Sequence, residues 1–224
     1  MQLYTPLEIE QIHQDIPHLI EIMEWVKSFL GRHHPDLGRS GPVCPFVPHA
    51  LKSNSIQMAV IRAKNLDSQQ LEEIVRRYRD IFLDTSPQQK ELAINKAFLL
   101  IFPDVSIHET SKLIDGIQQK LKPSFVESGL MLGEFHQRNE SSGLHNPNFR
   151  PLRSPIPLLA IRFMVESDLP FLLSPDNPYL RIRYLEAYLK HFAHKLTDKA
   201  KLNEAYQALA LAKEQLKEEN LVKY

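Results

Sequence analysis

Ala97-Phe98-Leu99-Leu100-Ile101-Phe102-Pro103 places six apolar residues in a row and stops them at a proline. A run that short, with branched and aromatic side chains, reads as a strand rather than a helix. Upstream, Ile56 to Ala63 is also rich in strand formers. Between the two runs, Leu71, Ile74, Val75, Tyr78 and Phe82 recur at helical spacing, and Ser86-Pro87 opens a short helical piece. Downstream, Ser106 and Glu109 form a capping box ahead of a helix with Leu113, Ile114, Ile117 and Leu121 on one face. Leu130 to His136 reads as a third strand and Leu158 to Val165 as a fourth. The order β-α-β-α-β-β predicts an α+β sandwich of ferredoxin-like topology. Its helices pack on one face of the sheet, and the other face is left open for something else to cover.

Helices flank this unit. Thr5-Pro6-Leu7-Glu8 carries a cap, a first-turn proline and a capping-box glutamate. Leu19, Ile20, Met23, Val26 and Leu30 then keep one stripe, Pro17 restarts or kinks the helix, and Gly31 stops it. Asn177-Pro178 starts a further helix with Ile182, Leu185, Tyr188, Leu189 and Phe192 inward. The last helix, about Lys199 to Val222, has the thinner stripe Ala205, Leu209, Ala212 and Leu216. The division expected is one α+β domain over residues 1–196 and a peripheral helix over 197–224.

The 224 residues hold 16 prolines but only 7 glycines. Four prolines lie between Pro35 and Pro48 and seven between Pro147 and Pro178. Both stretches must be irregular or extended, because proline fixes φ and has no N–H to donate. Lys+Arg and Asp+Glu balance at 27 each, which argues against a general nucleic-acid binder. One cysteine excludes a disulfide framework and any cysteine-rich metal site. No apolar run is long enough to span a membrane, and the polar N-terminus is no signal peptide. A cytoplasmic protein is expected, with a small-molecule substrate and no nucleic-acid or membrane partner. Phosphate-loop, dinucleotide and nucleophile-elbow motifs are absent from the sequence.

The long loops gather polar chemistry. His33, His34, His49, His136 and His145 lie in or beside them, without the local spacing of a metal motif. Arg138, Arg150 and Arg153 punctuate the second loop, where they would clamp an anion or simply meet solvent. Glu134 and His136 fall on one face of the third strand by alternation. Arg162 sits inside the apolar fourth strand, so it needs a partner or a cavity. Glu134 or His136 would pair with it across adjacent strands, as a salt bridge or as an anion site on the open face.

Two resemblances bear on this. His34-Pro35-Asp36-Leu37-Gly38-Arg39, followed by Gly41-Pro42-Val43-Cys44-Pro45-Phe46-Val47-Pro48, resembles an uncharacterised bacterial family of unknown function. Arg153-Ser154-Pro155-Ile156-Pro157, Ala160-Ile161-Arg162 and Asp168 match it too, so the likeness runs from about Trp25 to Leu172. That family implies no activity. Separately, Cys44-Pro45-Phe46 just before the first strand is similar to the motif of YqcI/YcgG-type proteins, some of which are haem-dependent N-hydroxylases of guanidine groups. The tryptophan-rich and C-terminal motifs of those proteins are missing here.

On that likeness the leading expectation is a small-molecule enzyme, a haem-thiolate oxygenase or N-hydroxylase. Cys44 would be the metal ligand and Phe46 would pack beside the ring. His136 and Glu134 would serve catalysis, and Arg162 and Arg153 would hold propionates or substrate. The plain alternative for Cys44 is a buried small hydrophobe. The alternative functions are a ligand-binding or homodimerisation module and a cysteine-dependent hydrolase or transferase.

Overall fold

The computed structural model describes residues 3–86, 93–194 and 198–222. Four strands form one sheet: β1 (Ile56–Val60), β2 (Ala97–Ile101), β3 (Leu130–Phe135) and β4 (Leu158–Phe163). Their spatial order is β1-β2-β4-β3. Seven α-helices accompany them among the described residues: α1 (Pro6–Trp25), α2 (Val47–Lys52), α3 (Ser68–Asp84), α4 (Gly116–Glu127), α5 (Leu169–Leu173), α6 (Pro178–Phe192) and α7 (Lys199–Val222). The helical piece expected from Pro87 lies outside the described residues.

β1 and β2 are parallel, with Ile56 opposite Ala97 and Val60 opposite Ile101. β4 runs antiparallel to β2, with Ala97 opposite Arg162 and Ile101 opposite Leu158. The Met164 amide donates to Gly129 O at 2.9 Å, which sets the end of β4 beside the start of β3, as in an antiparallel pair. The mixed α+β sheet is therefore present, but the ferredoxin-like strand order is not. In the split βαβ arrangement an antiparallel strand separates two parallel ones. Here only β2 and β3 are separated in this way. β1 pairs directly with β2, and the ladder extends past both ends through Ala97 N to Ser55 O (3.1 Å) and Ile61 N to Ile101 O (2.8 Å).

The chain groups into two compact units. The first comprises residues 1–118 and 133–162, the second 119–132 and 163–224. In the first unit the pleat sends Leu99, Ile101, Leu158 and Ala160 to one face of the sheet, where Ile22, Val26, Leu30, Leu37, Val43 and Val47 pack on them. These covering residues come from α1, from the π-helical turn Val26–Leu30 that continues it, and from the loop leading into α2. Each such side chain contributes about 1.5–3 kcal/mol when fully buried. The sheet face expected to be open is thus filled. α1 is one continuous helix that contains Pro17, so Pro17 does not restart it. Its start is the expected capping box, with Thr5 N donating to Glu8 Oε2 at 2.7 Å and Glu8 N to Thr5 Oγ1 at 3.3 Å.

The opposite face meets α3, whose Leu71, Val75 and Phe82 are fully buried. Phe82 stands edge-on to Phe98 of β2, with ring centroids 5.0 Å apart. Beside them Lys96 is buried, with its ammonium 4.6 Å and 4.9 Å from the Phe82 and Phe98 ring centroids. It donates to Phe82 O (2.9 Å), Thr85 Oγ1 (2.8 Å) and Ser86 Oγ (3.2 Å). A cation thus closes the C-terminus of α3, where the helix dipole favours positive charge.

In the second unit α5, α6 and α7 gather around Leu169, Leu172, Leu185, Tyr188 and Ala205. Tyr188 OH donates to Glu166 O at 2.9 Å. Burial pushes the phenols of both Tyr184 and Tyr188 up to about 12. Asn177 caps α6, its Oδ1 accepting from Leu180 N at 3.2 Å.

Replacing Lys96 with Met keeps the stem packing but removes the three donors. A loss of about 1–2 kcal/mol of stability is expected in urea unfolding at neutral pH. Burial holds the Lys96 pKa below its ordinary 10.5. Between that lowered value and 10.5 the unfolded chain binds more protons at this site than the folded one, so wild-type stability rises with pH there. The deficit of K96M should therefore widen as unfolding is measured at more alkaline pH.

Candidate functional site

The two proline-rich loops do meet. Asn146 Nδ2 donates to Asp36 O at 2.8 Å. The His34 ring lies 4.8 Å from that of Phe149, and Phe29 contacts both. Gly38 makes the closest approach, since its φ is +76° and a Cβ there would stand 2.7 Å from His145 O. Most polar side chains of the first loop serve the loop itself. Arg39 donates to Ser40 O (2.9 Å) and Val43 O (3.0 Å). His33 Nδ1 lies 3.2 Å from Gly41 O, and His34 Nδ1 accepts from Asp36 N at 3.2 Å. His49 and His145 are exposed.

Cys44 is half-buried and packs against the apolar cluster that covers the sheet. Its amide donates to Leu30 O (2.9 Å) and its carbonyl accepts from Val47 N (3.3 Å), which turns the chain into α2. These are the surroundings of a cysteine acting as a small hydrophobe. Phe46 stands at the N-cap of α2. Arg153 and Arg150 both reach Glu140, at 2.6 Å and 3.1 Å, and hold its carboxyl below the usual range through their hydrogen bonds. Arg153 Nε also donates to Asn139 O at 3.2 Å.

His136, expected to pair with Arg162, pairs with Asp115 instead. Phe135 points into the cluster that also holds Leu158 and Ala160. Arg162 shares the parity of Leu158 and Ala160, whereas Glu134 and His136 alternate with Phe135 and take the opposite face. The residues offered for haem are therefore scattered. Cys44 and Phe46 lie in the cover over one face, Arg162 on that face of β4, Glu134 and His136 on the other face, and Arg153 on an exposed loop. Such a set does not fit a porphyrin. Among the described residues no group of three or more His, Cys, Asp and Glu could hold a metal ion.

His136 instead finds a partner that sequence reasoning missed. Its ring is buried to 1% exposure, and Nε2 lies 2.9 Å from Asp115 Oδ1. Asp115 ends the π-helical turn Ser111–Asp115, and its side chain is 25% exposed. The other ring nitrogen, Nδ1, is buried without a partner. Buried polar atoms are almost always paired, so an orphan of this kind calls for a reason.

Next to His136 in the chain, Gln137 lines a cleft of about 280 Å³. Pro103, Val105, Ile107 and Thr110 follow β2, Pro155, Ile156 and Pro157 precede β4, and His18 and Glu21 come from α1. The cleft thus lies at the carboxyl ends of β2 and β3, where open sheets with parallel strands commonly bind ligands. Thr110 Oγ1 donates to Ile107 O at 3.0 Å, and Gln137 Nε2 to Pro155 O at 2.8 Å. The Thr110 hydroxyl proton and one Gln137 N–H are thus occupied within the protein, which leaves their oxygens as acceptors beside the Glu21 carboxylate. The sequence signal was there in Pro103, Pro155 and Pro157 at the strand ends, although nothing linked these prolines to Thr110 or Glu21.

A mixed four-stranded α+β sheet, covered on both faces and carrying a small cleft at its strand ends, defines the class. Residues 19–203 match the family described as Domain of unknown function (DUF6875), and the chain belongs to it. No curated protein and no solved structure matches the chain significantly.

Two substitutions test this geometry. Gly38→Ala forces a side chain into left-handed backbone against a neighbouring carbonyl, and should cost about 2 kcal/mol or more in urea unfolding. Asp115→Ala leaves both His136 nitrogens buried without partners and should cost about 1–3 kcal/mol. Asp115→Asn keeps an acceptor and should retain most of that stability.

Proposed function

We propose that the protein binds a small, hydrogen-bond-donating molecule, such as an amine of amino-acid size, in the cleft at the carboxyl ends of β2 and β3. One observation carries this: Glu21, Thr110 and Gln137 line, with His18, a space of about 280 Å³ whose remaining walls are proline, isoleucine and valine. That volume is at the low end for small-molecule sites, which favours a compact ligand. The carboxylate favours a cationic head, and the prolines give rigid apolar walls that cost no donor.

A thermal-shift screen of small amines tests the proposal, with affinities then measured by calorimetry. Glu21→Gln should weaken the best amine by about tenfold, the cost of a charge-assisted contact. Thr110→Val should weaken it several-fold, while neutral isosteres of the amine bind poorly to the wild type. Equal affinity of wild type and both variants would place the ligand elsewhere.

A second reading makes the site catalytic, and the unspent His136 Nδ1 favours it. A carboxylate that fixes one ring nitrogen leaves the other as a proton acceptor, the relation found in general-base couples. Nitrogen-15 spectra of the His136 imidazole should then shift at Nδ1 when the cleft ligand binds. An unchanged ring would leave the couple a structural clasp.

A further inference from the structure

The first half of α1 is open to solvent. Every described residue from Leu3 to Gln14 is exposed, and burial begins only as the helix approaches Ile22. The family match starts at residue 19, so this projecting stretch lies outside the matched region. A helix of so few residues is marginal in water when nothing packs on it.

Its surface is nevertheless patterned. Ile9, Ile12, Ile16 and Ile20 follow one another at helical spacing and are 56%, 39%, 43% and 52% exposed. By the same spacing Glu8 and Asp15 border this stripe on one side, and His13 and Glu24 on the other. From Met1 to Val26 the chain carries Glu8, Glu10, Asp15, Glu21 and Glu24 but no lysine or arginine. Arg62 pairs with Asp15, so Glu8 and Glu24 are the carboxylates left along the edges of the apolar stripe.

That charge selects the occupant. Two copies of α1 laid against each other would oppose carboxylate to carboxylate, which opposes pairing. An anionic membrane surface would repel the helix for the same reason. We propose that the projecting half of α1 docks a basic amphipathic helix of a partner protein. The partner's apolar stripe would pack on Ile9, Ile12, Ile16 and Ile20, and its lysines or arginines would face Glu8 and Glu24. Such a pairing is the helix-to-helix recognition in which apolar anchors give affinity and flanking charges choose the partner.

The test uses the full chain and a synthetic amphipathic peptide of about 18 residues, leucine on one face and lysine on the other. Calorimetry should give an affinity on the order of micromolar that weakens with salt. The double variant Ile12→Ser/Ile16→Ser keeps the charge and, because both positions are exposed, should keep the fold, checked by circular dichroism. It should lose about tenfold or more in affinity. A peptide with glutamate in place of lysine should not bind. Equal binding by the serine variant would reduce the effect to bulk charge and overturn the proposal. So would a concentration-dependent dimer, seen by sedimentation, that the serine variant abolishes, because a second copy would then be the occupant. Binding to anionic vesicles in place of the peptide would overturn it as well.

Discussion

The sheet face built from Met58, Leu99, Ile101, Leu158 and Ala160 has to be buried, and most of the first unit is arranged to bury it. Regular structure supplies only part of the cover. Ile22 and Val26 come from α1 and its π-helical continuation, but Leu37, Val43 and Phe149 come from loops. Loops make poor cover because they carry backbone donors and acceptors with no ladder to join. Prolines at 35, 42, 45 and 48 lessen this problem by removing donors where the first loop packs. Arg39 meets the other half by donating to Ser40 O and Val43 O. Asn139 does similar work in the second loop, donating to Glu134 O and accepting from Ser141 N.

The opposite face handles polar groups in another way. Lys96 is buried with three oxygen acceptors and two aromatic faces, and so becomes the closing group of α3. His136 is buried with one nitrogen satisfied and one not. The contrast is informative. Where a polar side chain has a purely structural task, as at Lys96, its donors are accounted for. Gln137, the neighbour of His136 in the chain, lines the cleft, while His136 itself does not.

Local chemistry was legible wherever a residue's neighbours in sequence were also its partners. The capping boxes at Thr5 and the cap at Asn177 are of this kind. So are the four strands and the helical stripes of α3 and α6, because periodicity of 2 or 3.6 is written into the chain. Glu134 and His136 were rightly placed together on one side by alternation. The side that Arg162 takes cannot be read from β4 alone. Alternation fixes sides within a strand but says nothing about the phase of its neighbour, which depends on register.

The amino-acid sequence by itself determined the mixed α+β class, the four strands and the longer helices, but not the short helices α2 and α5, which begin inside the proline-rich stretches read as irregular or extended. Only the tertiary structure decided the strand order β1-β2-β4-β3, the filling of the second sheet face, the pairing of His136 with Asp115 and the position of the cleft. The reason is separation along the chain. Asp115 and His136 are 21 residues apart, and Asp36 and Asn146 are 110 apart. No local spacing encodes such contacts, because they exist only after the sheet has set its register and the loops have closed over it.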